Sequence, residues 1–369
     1  MINVLYVCST LKRTGPSNQL LNIIRNLPDS YNVTVCTLSL EPQDTLKPDF
    51  EKSGIKVVSL AMSRLKGVFF LGSCLNTLVN EFKPDVIHSQ GIRSDYLVAK
   101  LKYKTYKVAT LRNYPQLDYP STYGRILGGL MTKVHTCNLK KLDLVVAVSD
   151  GVSKNLNKHF GVLNIVVIRN GVNTDTFTLI NESEKLELRE RLKLPKDKKI
   201  WISVGHLSAR KNPLNIIESF KDYLKFDSES VLIFVGDGPL MQDCLGYADD
   251  NIIFTGRVSN VKDYLNSADY FISASRAEGF PNTVLESLAS GVPVLLSDIP
   301  PHMEFFDLNE KIGQIFYVNE NFHKVMMSLS KQDYSTLQLE AISVISNHLS
   351  ASIMSSRYER IYRERGTSC

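Results

Sequence analysis

Residues 275–298, SRAEGFPNTVLESLASGVPVLLSD, decide the fold class of this chain. The apolar run Tyr270–Ala274 precedes this stretch and predicts a buried strand, and Gly291 starts a second apolar run that predicts the next strand. A loop and a short helix, predicted to begin near Thr283, connect the two strands. Because strand, helix and strand form the repeating unit of a parallel sheet, the stretch predicts an α/β fold.

Two carboxylates, Glu278 and Glu286, stand in this stretch, one on the predicted loop and one in the predicted first turn of the helix. Both follow the carboxyl end of a strand, where open α/β sheets bind their ligands. Backbone amides beside the helix N-terminus favour an anion. The residues that offer these amides are Gly279, Phe280, Asn282 and Thr283. Hydroxyl acceptors beside an anion site fit a sugar nucleotide, which carries hydroxyls and phosphates.

Two other interpretations of the carboxylates stay open at this point. Thr283 and Glu286 fit a capping box, in which each side chain accepts a hydrogen bond from a free backbone amide of the helix start. That explains Glu286 without a ligand but leaves Glu278 unexplained. Alternatively, a hydrolase could use the pair as acid and nucleophile. The hydrolase interpretation ranks low because it gives no role to the amides or to the nearby cations.

The cations lie in the segment 204–212, VGHLSARKN, which ends a predicted strand and is predicted to open a helix. Gly205 permits close approach of the backbone to a ligand. Arg210 and Lys211 bring two positive charges to the strand ends that also carry Glu278. Cations in a first helical turn oppose the helix dipole, which favours a bound anion over a solvated helix start.

Charge is distributed unevenly along the 369 residues. Residues 1–170 carry 22 Lys and Arg against 11 Asp and Glu, a net charge of +11, whereas the remainder carries 21 against 27, a net charge of −6. The first half is therefore predicted to meet an anionic partner. Lysines interleaved with tyrosines at 100–107 are interpreted as a solvated helix end, so nucleic acid is not predicted as a partner.

The sequence also indicates a compartment. No apolar run approaches the roughly 20 residues of a membrane-spanning helix. The opening residues do not fit a secretory signal, in which charges precede the apolar stretch. The six cysteines show no close pairs and no metal-ligand spacing, which favours thiols in a reducing environment. We therefore expect a cytoplasmic protein.

Strands alternate with helices almost throughout, which predicts parallel sheets built from βαβ units. Seven strands are predicted in the first half and six in the second, separated by the charged segment Asn181–Lys199. We predict two Rossmann-like domains facing a central cleft, residues 1–175 and 176–350. Residues 351–369 are predicted to form a helix that packs back on the first domain. No G-x-G-x-x-G follows the first strand, which disfavours a dinucleotide cofactor.

Three residues of the first half lie at predicted strand ends. Gly15 follows the first strand and opens a helix, although ordinary turns use the same chemistry. His88 and Arg112 end two further strands and are predicted to point at the cleft, where they would contact the acceptor or the sugar. A lone histidine is more often structural than catalytic, so a structural role for His88 stays open.

The spacing E-x7-E from Glu278 to Glu286, followed by SGVPV, resembles the signature of the family 4 retaining glycosyltransferases, which have the GT-B fold. Segment 204–212 resembles the phosphate-binding segment of that family, and 168–173 resembles its interdomain segment. Residues 84–88, PDVIH, resemble a strand end of its first domain. The resemblance covers nearly the whole chain.

The resemblance implies a donor site mostly in the second domain. Glu286 would hold the ribose hydroxyls, and Glu278 would hold the hydroxyls of the donor sugar. Arg210 and Lys211 would clamp the diphosphate and stabilise the charge that develops on it. In such enzymes the leaving phosphate itself accepts the proton of the acceptor, so no dedicated base is implied.

Further contacts, and two departures, follow from the same resemblance. The backbone near Arg257 and Val258 would contact the base, and Gly15 would approach the diphosphate from the first domain. Members of the family often carry a second glycine where this chain has Pro16, which removes an amide donor. Many also carry a histidine where this chain has Arg112, which is expected instead to contact a sugar or phosphate.

The resemblance implies neither metal nor cofactor, and the chain contains no Asp-x-Asp. The implied partners are a nucleotide diphosphate sugar and a glycan acceptor, with a lipid-diphosphate-linked glycan of bacterial surface polysaccharide assembly as the leading expectation. The basic first half would then bring the protein to the inner membrane face. Three alternatives stay open: a nucleotide-sugar epimerase, a transferase with a soluble acceptor, and a non-catalytic binding module.

Overall fold

The computed structural model describes residues 1–364, which form two compact units. Unit 1 comprises Met1–Asn170 and the chain from Ala351 onward, and unit 2 comprises Gly171–Ser350. The division falls a few residues before the predicted boundary at 175. The last residues of the predicted terminal helix, with Cys369, lie outside the described part of the chain.

Unit 1 contains a seven-stranded parallel sheet with the strand order β3-β2-β1-β4-β5-β6-β7. Its strands are β1 (Ile2–Cys8), β2 (Tyr31–Thr37), β3 (Lys56–Ser59), β4 (Val86–Gln90), β5 (Tyr106–Leu111), β6 (Leu144–Ala147) and β7 (Ile165–Val167). The interior strand β1 is covered on both faces, which explains the apolar run from Val4 to Val7. The prediction of seven parallel strands is confirmed.

Helices cover both faces of this sheet. They are α1 (Gly15–Arg25), α2 (Lys47–Lys52), α3 (Arg64–Phe82), α4 (Ile92–Lys100), α5 (Pro115–Tyr123), α6 (Arg125–Leu139) and α7 (Asp150–Phe160). The single helix predicted over Tyr123–Lys141 starts later than expected, because Gly124, at φ +80°, separates α5 from α6. A left-handed residue ends a helix, and glycine adopts that conformation without strain.

Unit 2 contains a six-stranded parallel sheet with the order β10-β9-β8-β11-β12-β13. Its strands are β8 (Lys199–Val204), β9 (Ser230–Val235), β10 (Ile252–Phe254), β11 (Tyr270–Ser273), β12 (Val294–Ser297) and β13 (Gly313–Phe316). The interior strands β8 and β11 pack against a large apolar cluster around the fully buried Trp201. The predicted six-stranded second sheet is confirmed.

The helices of unit 2 are α8 (Glu182–Arg191), α9 (Pro213–Leu224), α10 (Met241–Leu245), α11 (Val261–Ser267), α12 (Asn282–Ala289), α13 (Pro300–Leu308), α14 (His323–Leu329) and α15 (Tyr334–Val344). The charged segment Asn181–Lys199, predicted as a separator, instead belongs to unit 2. In α8, Lys185 and Arg189 are buried ion-pair partners of Asp269. Charged side chains become buried when they are paired, so a charged sequence here forms a packed helix.

The last helix, α16 (Ala351–Glu364), belongs to unit 1. The Ser355 hydroxyl donates to the carbonyl oxygen of Ile23 in α1 at 2.7 Å. Tyr358 and Tyr362 are buried in the apolar cluster of unit 1. The helix therefore completes the core of the first domain. Across residues 1–364, no helix combines the length and apolar character needed to cross a bilayer.

Candidate functional site

The candidate site of unit 2 is formed by loops at one edge of its sheet. The strands are parallel, so the loops that follow β8, β9, β11 and β12 all emerge at this edge. Residues 205–212, the basic loop, follow β8. Residues 274–281, the acidic loop, follow β11 and lead into α12. These two loops and α12 together carry most of the residues predicted for the donor site.

The two cations of the basic loop precede a helix and do not lie within one. Helix α9 begins at Pro213, so the predicted placement of Arg210 and Lys211 in a first helical turn is wrong. Asn212, at φ +54°, turns the chain into the helix. The inference of a bound anion from cations in a first helical turn therefore does not apply, because Arg210 and Lys211 lie outside the helix. The two cations are oriented instead by their contacts with the Glu278 carboxylate.

Glu278 forms ion pairs with both cations. Arg210 Nη1 lies 2.8 Å from one carboxylate oxygen, and Lys211 Nζ lies 2.8 Å from the other. The Ser275 hydroxyl donates to the second oxygen at 2.9 Å. The Glu278 side chain is only 10% exposed, so these interactions are weakly screened by water. The structure thus brings together the three residues predicted to be catalytic.

The surroundings of Glu278 hold it ionised. Burial disfavours the charged form, but the positive charges of Lys211 and Arg210 outweigh burial and lower the Glu278 pKa to about 2. The carboxylate is therefore a permanent hydrogen-bond acceptor at neutral pH. It cannot serve as a general acid there.

Glu286 lies in the opposite electrostatic environment. The residue is half-buried on α12, and burial raises its pKa to about 8, with Lys211 opposing the rise. Near neutral pH the carboxyl group is therefore mostly protonated. Two carboxyl groups with well separated pKa values can perform different tasks in one site.

The predicted capping box is wrong. Pro281 occupies the N-cap position of α12, so Glu286 is the fifth helical residue and lies in the second turn. The N-cap residue makes no side-chain capping hydrogen bond. The Thr283 hydroxyl and the Glu286 carboxyl therefore do not satisfy each other's backbone amides. Helix capping therefore does not explain the presence of a glutamate at position 286.

The basic and acidic loops hold each other through the backbone. The Arg276 amide donates to the carbonyl oxygen of Arg210 at 2.8 Å, and Arg276 Nη1 donates to the carbonyl oxygen of Ala209 at 3.2 Å. In return, Arg210 Nη1 donates to the carbonyl oxygen of Ala277 at 2.7 Å. These reciprocal bonds fix the positions of the two cations relative to Glu278.

A third loop, after β9, sets the path of the basic loop. The Gly205 amide donates to the carbonyl oxygen of Val235 at 2.9 Å, and the Leu207 amide donates to that of Asp237 at 3.1 Å. Gly236 lies between these bonds at φ +140°, and a Cβ atom there would lie 2.0 Å from the carbonyl oxygen of Gly205. The close approach of the two loops therefore requires a glycine at position 236.

We expect Gly236→Ala to displace the basic loop and to raise the KM for the nucleotide sugar by at least about tenfold, since two cations move with the loop. Steady-state kinetics measures this effect. Gly246→Ala is the matched control, because that glycine has negative φ and a Cβ atom would make only an ordinary contact, 3.5 Å from Asp243. Equal KM values in both variants would contradict this account of the loop.

His302 is a site residue that the sequence analysis missed. It is fully buried at the start of α13, where its Nδ1 donates to the carbonyl oxygen of Ser297 at 3.0 Å. Nε2 is buried and bonds to no group among residues 1–364. Burial lowers the His302 pKa to about 4, against the influence of Glu278. The neutral ring therefore presents an unused acceptor near Glu278. The position directly after β12, at the same sheet edge, was the signal in the sequence.

The remaining predicted donor residues occupy the same edge. The Phe280 ring is buried and stacks on Phe305 with 4.3 Å between ring centroids, so the ring belongs to the core of unit 2. Gly279, Asn282 and Thr283 are half-buried around the start of α12. Arg257 and Val258 follow β10, exposed and half-buried respectively.

Unit 1 contains a cavity of about 400 Å³ at the carboxyl edge of its own sheet. Its lining includes Thr14, Pro16, Ser17, Gln90, Arg112, Tyr119 and His135. Gly15 is the first residue of α1, between two residues of this lining. The cavity therefore joins a helix start, which favours anions, to the guanidinium of Arg112.

Arg112 lines the cavity, and only one of its three guanidinium nitrogens has a hydrogen-bond partner among residues 1–364. Its Nη1 donates to Asn170 Oδ1 at 2.5 Å. Its Nε and Nη2 atoms are buried and bond to no group in the described part of the chain. A buried guanidinium without a carboxylate partner is costly, so a ligand oxygen or anion is the natural complement.

His88 does not join this cavity. The ring is fully buried, with Nδ1 2.6 Å from the Tyr362 hydroxyl and Nε2 2.7 Å from the Thr110 hydroxyl. Burial, together with the charge of Arg112, lowers its pKa to about 3. Because α16 covers the ring and both nitrogens are engaged, His88 has no capacity left for a sugar. His88 therefore has a structural role and does not make the contact with an acceptor or sugar that was expected of it.

A buried chain of three side chains borders the cavity and was also missed. His135 Nε2 lies 2.7 Å from Asp95 Oδ2, and His135 Nδ1 lies 2.8 Å from the Tyr119 hydroxyl. The carboxylate can only accept, so in the neutral ring Nε2 carries the proton and Nδ1 accepts from Tyr119. Tyr119 then acts as a donor to His135, and its oxygen can still accept a hydrogen bond. Nothing in the sequence signals this chain, because its members lie on three different helices.

Comparison with known proteins identifies the family. The sequence model described as Glycosyltransferase Family 4 matches residues 13–176, and the model described as Glycosyl transferases group 1 matches residues 184–341. The chain belongs to the family 4 glycosyltransferases. The prediction of a glycosyltransferase is confirmed.

Individual relatives agree with this assignment. The O-antigen biosynthesis glycosyltransferase WclY of Escherichia coli is 24% identical over 98% of both chains. The UDP-Gal:α-D-GlcNAc-diphosphoundecaprenol α-1,3-galactosyltransferase of Escherichia coli is 32% identical over 37% of each chain. HepE of Anabaena, solved in complex with UDP, superposes with a TM-score of 0.82 at 17% identity, covering 98% of this chain and 100% of that one. The predicted GT-B fold is confirmed.

Proposed function

We propose that this glycosyltransferase moves a sugar from a nucleotide diphosphate sugar to a hydroxyl of a glycan acceptor, with retention of anomeric configuration. The observation that carries the proposal is the Glu278 carboxylate held between Arg210 and Lys211, with Glu286 close enough for the charge of Lys211 to lower its pKa. This edge offers cations for a diphosphate and carboxyl groups for hydroxyls. Both are needed to hold a sugar nucleotide.

The two cations have a role in bond breaking. Cleavage of the anomeric bond leaves negative charge on the departing diphosphate, and fixed positive charges there lower the barrier. Without a ligand, the charge of Arg210 and Lys211 is offset by Glu278. A bound diphosphate would share both cations with Glu278. The leaving phosphate then accepts the proton of the acceptor, so we assign no general base.

Glu278 is assigned to the hydroxyls of the donor sugar. Its carboxylate stays ionised at neutral pH and is oriented by Ser275 as well as by the two cations. His302 Nε2 supplies a further acceptor near this carboxylate. A sugar hydroxyl can donate to either atom, which would restrict the orientation in which the sugar binds.

Glu286 is assigned to the ribose hydroxyls, which leads to a pH-dependent prediction. Two vicinal hydroxyls donate best to an ionised carboxylate, so nucleotide binding should lower the Glu286 pKa from about 8 and release a proton. We expect release to approach one proton per nucleotide at pH 7 and to disappear well above the pKa. Binding should therefore tighten as pH rises toward 8 and then level off.

Calorimetric titration of the nucleoside diphosphate in buffers of different ionisation enthalpy measures this proton release. Glu286→Gln is the matched variant, because it keeps the shape of the side chain and removes the titration. Proton uptake, or equal release in the two proteins, would contradict the ribose assignment.

The acceptor is assigned to the cavity of unit 1. The Arg112 guanidinium and Tyr119 line this cavity, and His135 and Asp95 hold Tyr119 in place. These groups suit a glycan that carries both hydroxyls and an anionic group. A lipid-linked diphosphate glycan has this chemistry, and one relative is named for such an acceptor.

We therefore propose a role in surface polysaccharide assembly, such as O-antigen, capsule or exopolysaccharide, as the name of the full-length relative suggests. The protein would act in the cytoplasm at the inner membrane face, without a metal ion or cofactor, since Arg210 and Lys211 supply the positive charge. Activity should survive a chelator, and the product should partition into organic solvent. A water-soluble product would instead support a soluble acceptor.

Two measurements separate the proposal from its rivals. Incubation of the nucleotide sugar without acceptor should leave it intact, whereas an epimerised nucleotide sugar would establish the epimerase. Release of nucleoside diphosphate should require an acceptor. A non-catalytic binding module would bind the nucleotide sugar but would form no nucleoside diphosphate when a membrane-lipid extract is added as the source of acceptor.

A further inference from the structure

Helix α6 has an inverted distribution of side chains. Its buried residues are mostly polar and include Thr132, His135, Thr136 and Asn138. Its exposed residues include large apolar ones, with Ile126 92% and Leu130 59% exposed. A surface helix of a soluble domain ordinarily turns its apolar stripe inward. The arrangement of α6 is the opposite.

The exposed apolar residues form one stripe. Ile126, Leu130 and Val134 recur every fourth position, so they lie on one face of the helix. On the neighbouring α5, Leu117 and Tyr123 are also exposed. We call these five residues together the α5–α6 apolar face. Contiguous apolar surface of this kind marks an interaction site.

Buried polar contacts fix the orientation of α6. His135 is bound to Asp95 and Tyr119 on the inner side. The Thr132 hydroxyl donates to the carbonyl oxygen of Pro115 at 2.9 Å. Rotating the helix to bury its apolar stripe would break these bonds and leave the Asp95 carboxylate buried without its partner. The outward direction of the apolar face is therefore built into the fold.

The charges around the face are positive. Exposed cations on and after α6 are Arg125, Lys133, Lys140 and Lys141. No Asp or Glu occurs between Asp118 and Asp143. Two copies of the chain meeting symmetrically through this face would juxtapose these cations, with Asp118 as the only Asp or Glu in α5 and α6, which disfavours a dimer interface. An apolar stripe flanked by cations instead fits the boundary of an anionic bilayer.

We propose that the α5–α6 apolar face docks on an anionic lipid bilayer, with α6 lying in the membrane plane. The inference deepens the proposed function, since it rests on an acceptor that is lipid-linked. The inner side of the same helix carries His135, which lines the cavity of unit 1. Docking would thus place the cavity about one helix diameter, roughly 10 Å, from the headgroups.

Vesicle co-sedimentation of the full chain tests this proposal. The probes are vesicles of phosphatidylcholine alone and of phosphatidylcholine mixed with phosphatidylglycerol. We expect the protein to bind the mixed vesicles more strongly. The triple variant Ile126→Ser, Leu130→Ser, Val134→Ser should bind them about 100-fold more weakly or worse, because three apolar insertions are lost. Lys133→Gln, Lys140→Gln, Lys141→Gln should lose about fivefold per lysine on mixed vesicles only.

The matched control is the triple variant Leu40→Ser, Leu163→Ser, Leu339→Ser, which removes three other leucines that are more than half exposed. It should bind vesicles like the unmodified protein. Equal loss in both triple variants, or no loss in the α6 variant, would overturn the proposal. Light scattering adds a further outcome: a dimer that dissociates only in the α6 variant would assign the face to self-association instead.

Failure of the docking proposal can be told apart from failure of the proposed function. With acceptor dispersed in detergent, the α6 triple variant should transfer sugar at the normal rate, because none of its changes touches either site. Normal vesicle binding without any sugar transfer would leave docking standing and refute the proposed function. Sugar transfer by an α6 variant that still binds vesicles normally would refute the docking proposal and leave the proposed function standing.

Discussion

Glu278→Gln should lower turnover by about 100- to 1,000-fold while the nucleoside diphosphate binds as tightly as before or more tightly. The carboxylate currently pairs with both Arg210 and Lys211. Removing its charge releases these cations for the diphosphate, which accounts for the retained affinity. The same change removes the acceptor assigned to the donor sugar, so the reacting carbon loses its orientation.

Steady-state kinetics and calorimetry with the nucleoside diphosphate measure the two effects separately. Glu190→Gln is a suitable control, since that exposed carboxylate pairs with Lys196 on the surface of unit 2. It should leave both quantities unchanged. Parallel loss of affinity and turnover in Glu278→Gln would mean that Glu278 mainly holds the loops together, and normal turnover would end its assignment to the sugar.

The second large effect is expected for Lys211→Met, which should weaken binding of the nucleoside diphosphate by about 100-fold and lower turnover as well. Lys211 is the cation that influences both carboxyl groups, because its charge lowers the pKa of Glu278 and of Glu286. Its loss therefore removes a phosphate contact and makes Glu286 harder to ionise. The side chain of methionine preserves much of the buried volume.

The pH dependence distinguishes this mechanism from simple damage to the fold. In Lys211→Met the pKa of Glu286 should rise above its value of about 8, so tight nucleotide binding should shift to higher pH. Lys211→Arg should keep the shift small, since it retains the charge. A uniform loss of affinity at every pH, equal in both variants, would show that Lys211 acts only through packing.

The sheets were the most predictable part of the fold. Buried parallel strands appear in the sequence as continuous apolar runs, and the predicted strand Tyr270–Ala274 matches β11 to within one residue. The helix boundaries were less predictable, because a single backbone angle at Gly124 separates α5 from α6. The charged segment containing α8 was wrongly predicted to be a separator between domains, because Arg189 is buried by pairing with Asp269.

The association of site residues was predictable, but their local geometry was not. Strand ends of one parallel sheet must share an edge, which was enough to bring Arg210 and Lys211 to Glu278. Whether they precede or enter α9 depends on the left-handed Asn212, and sequence pattern does not reveal that. The capping box at Thr283 failed for a similar reason, since Pro281 takes the N-cap position.

Two sets of side-chain contacts between distant segments could not be predicted. Asp95, Tyr119 and His135 lie on three helices, and only the packing of α4, α5 and α6 joins them. The covering of His88 by α16 depends on a contact across 274 positions. A single sequence records neither, because each residue alone is compatible with many environments.

The stereochemistry of the product tests the central claim most directly. A thermal-shift screen first selects the nucleotide sugar, and the transfer product is then examined by NMR for the coupling between its first two ring protons. We predict the same anomeric configuration as in the donor, with one nucleoside diphosphate released per sugar transferred. An inverted product would contradict the account, because inversion requires a general base that the arrangement of Glu278, Arg210 and Lys211 does not supply.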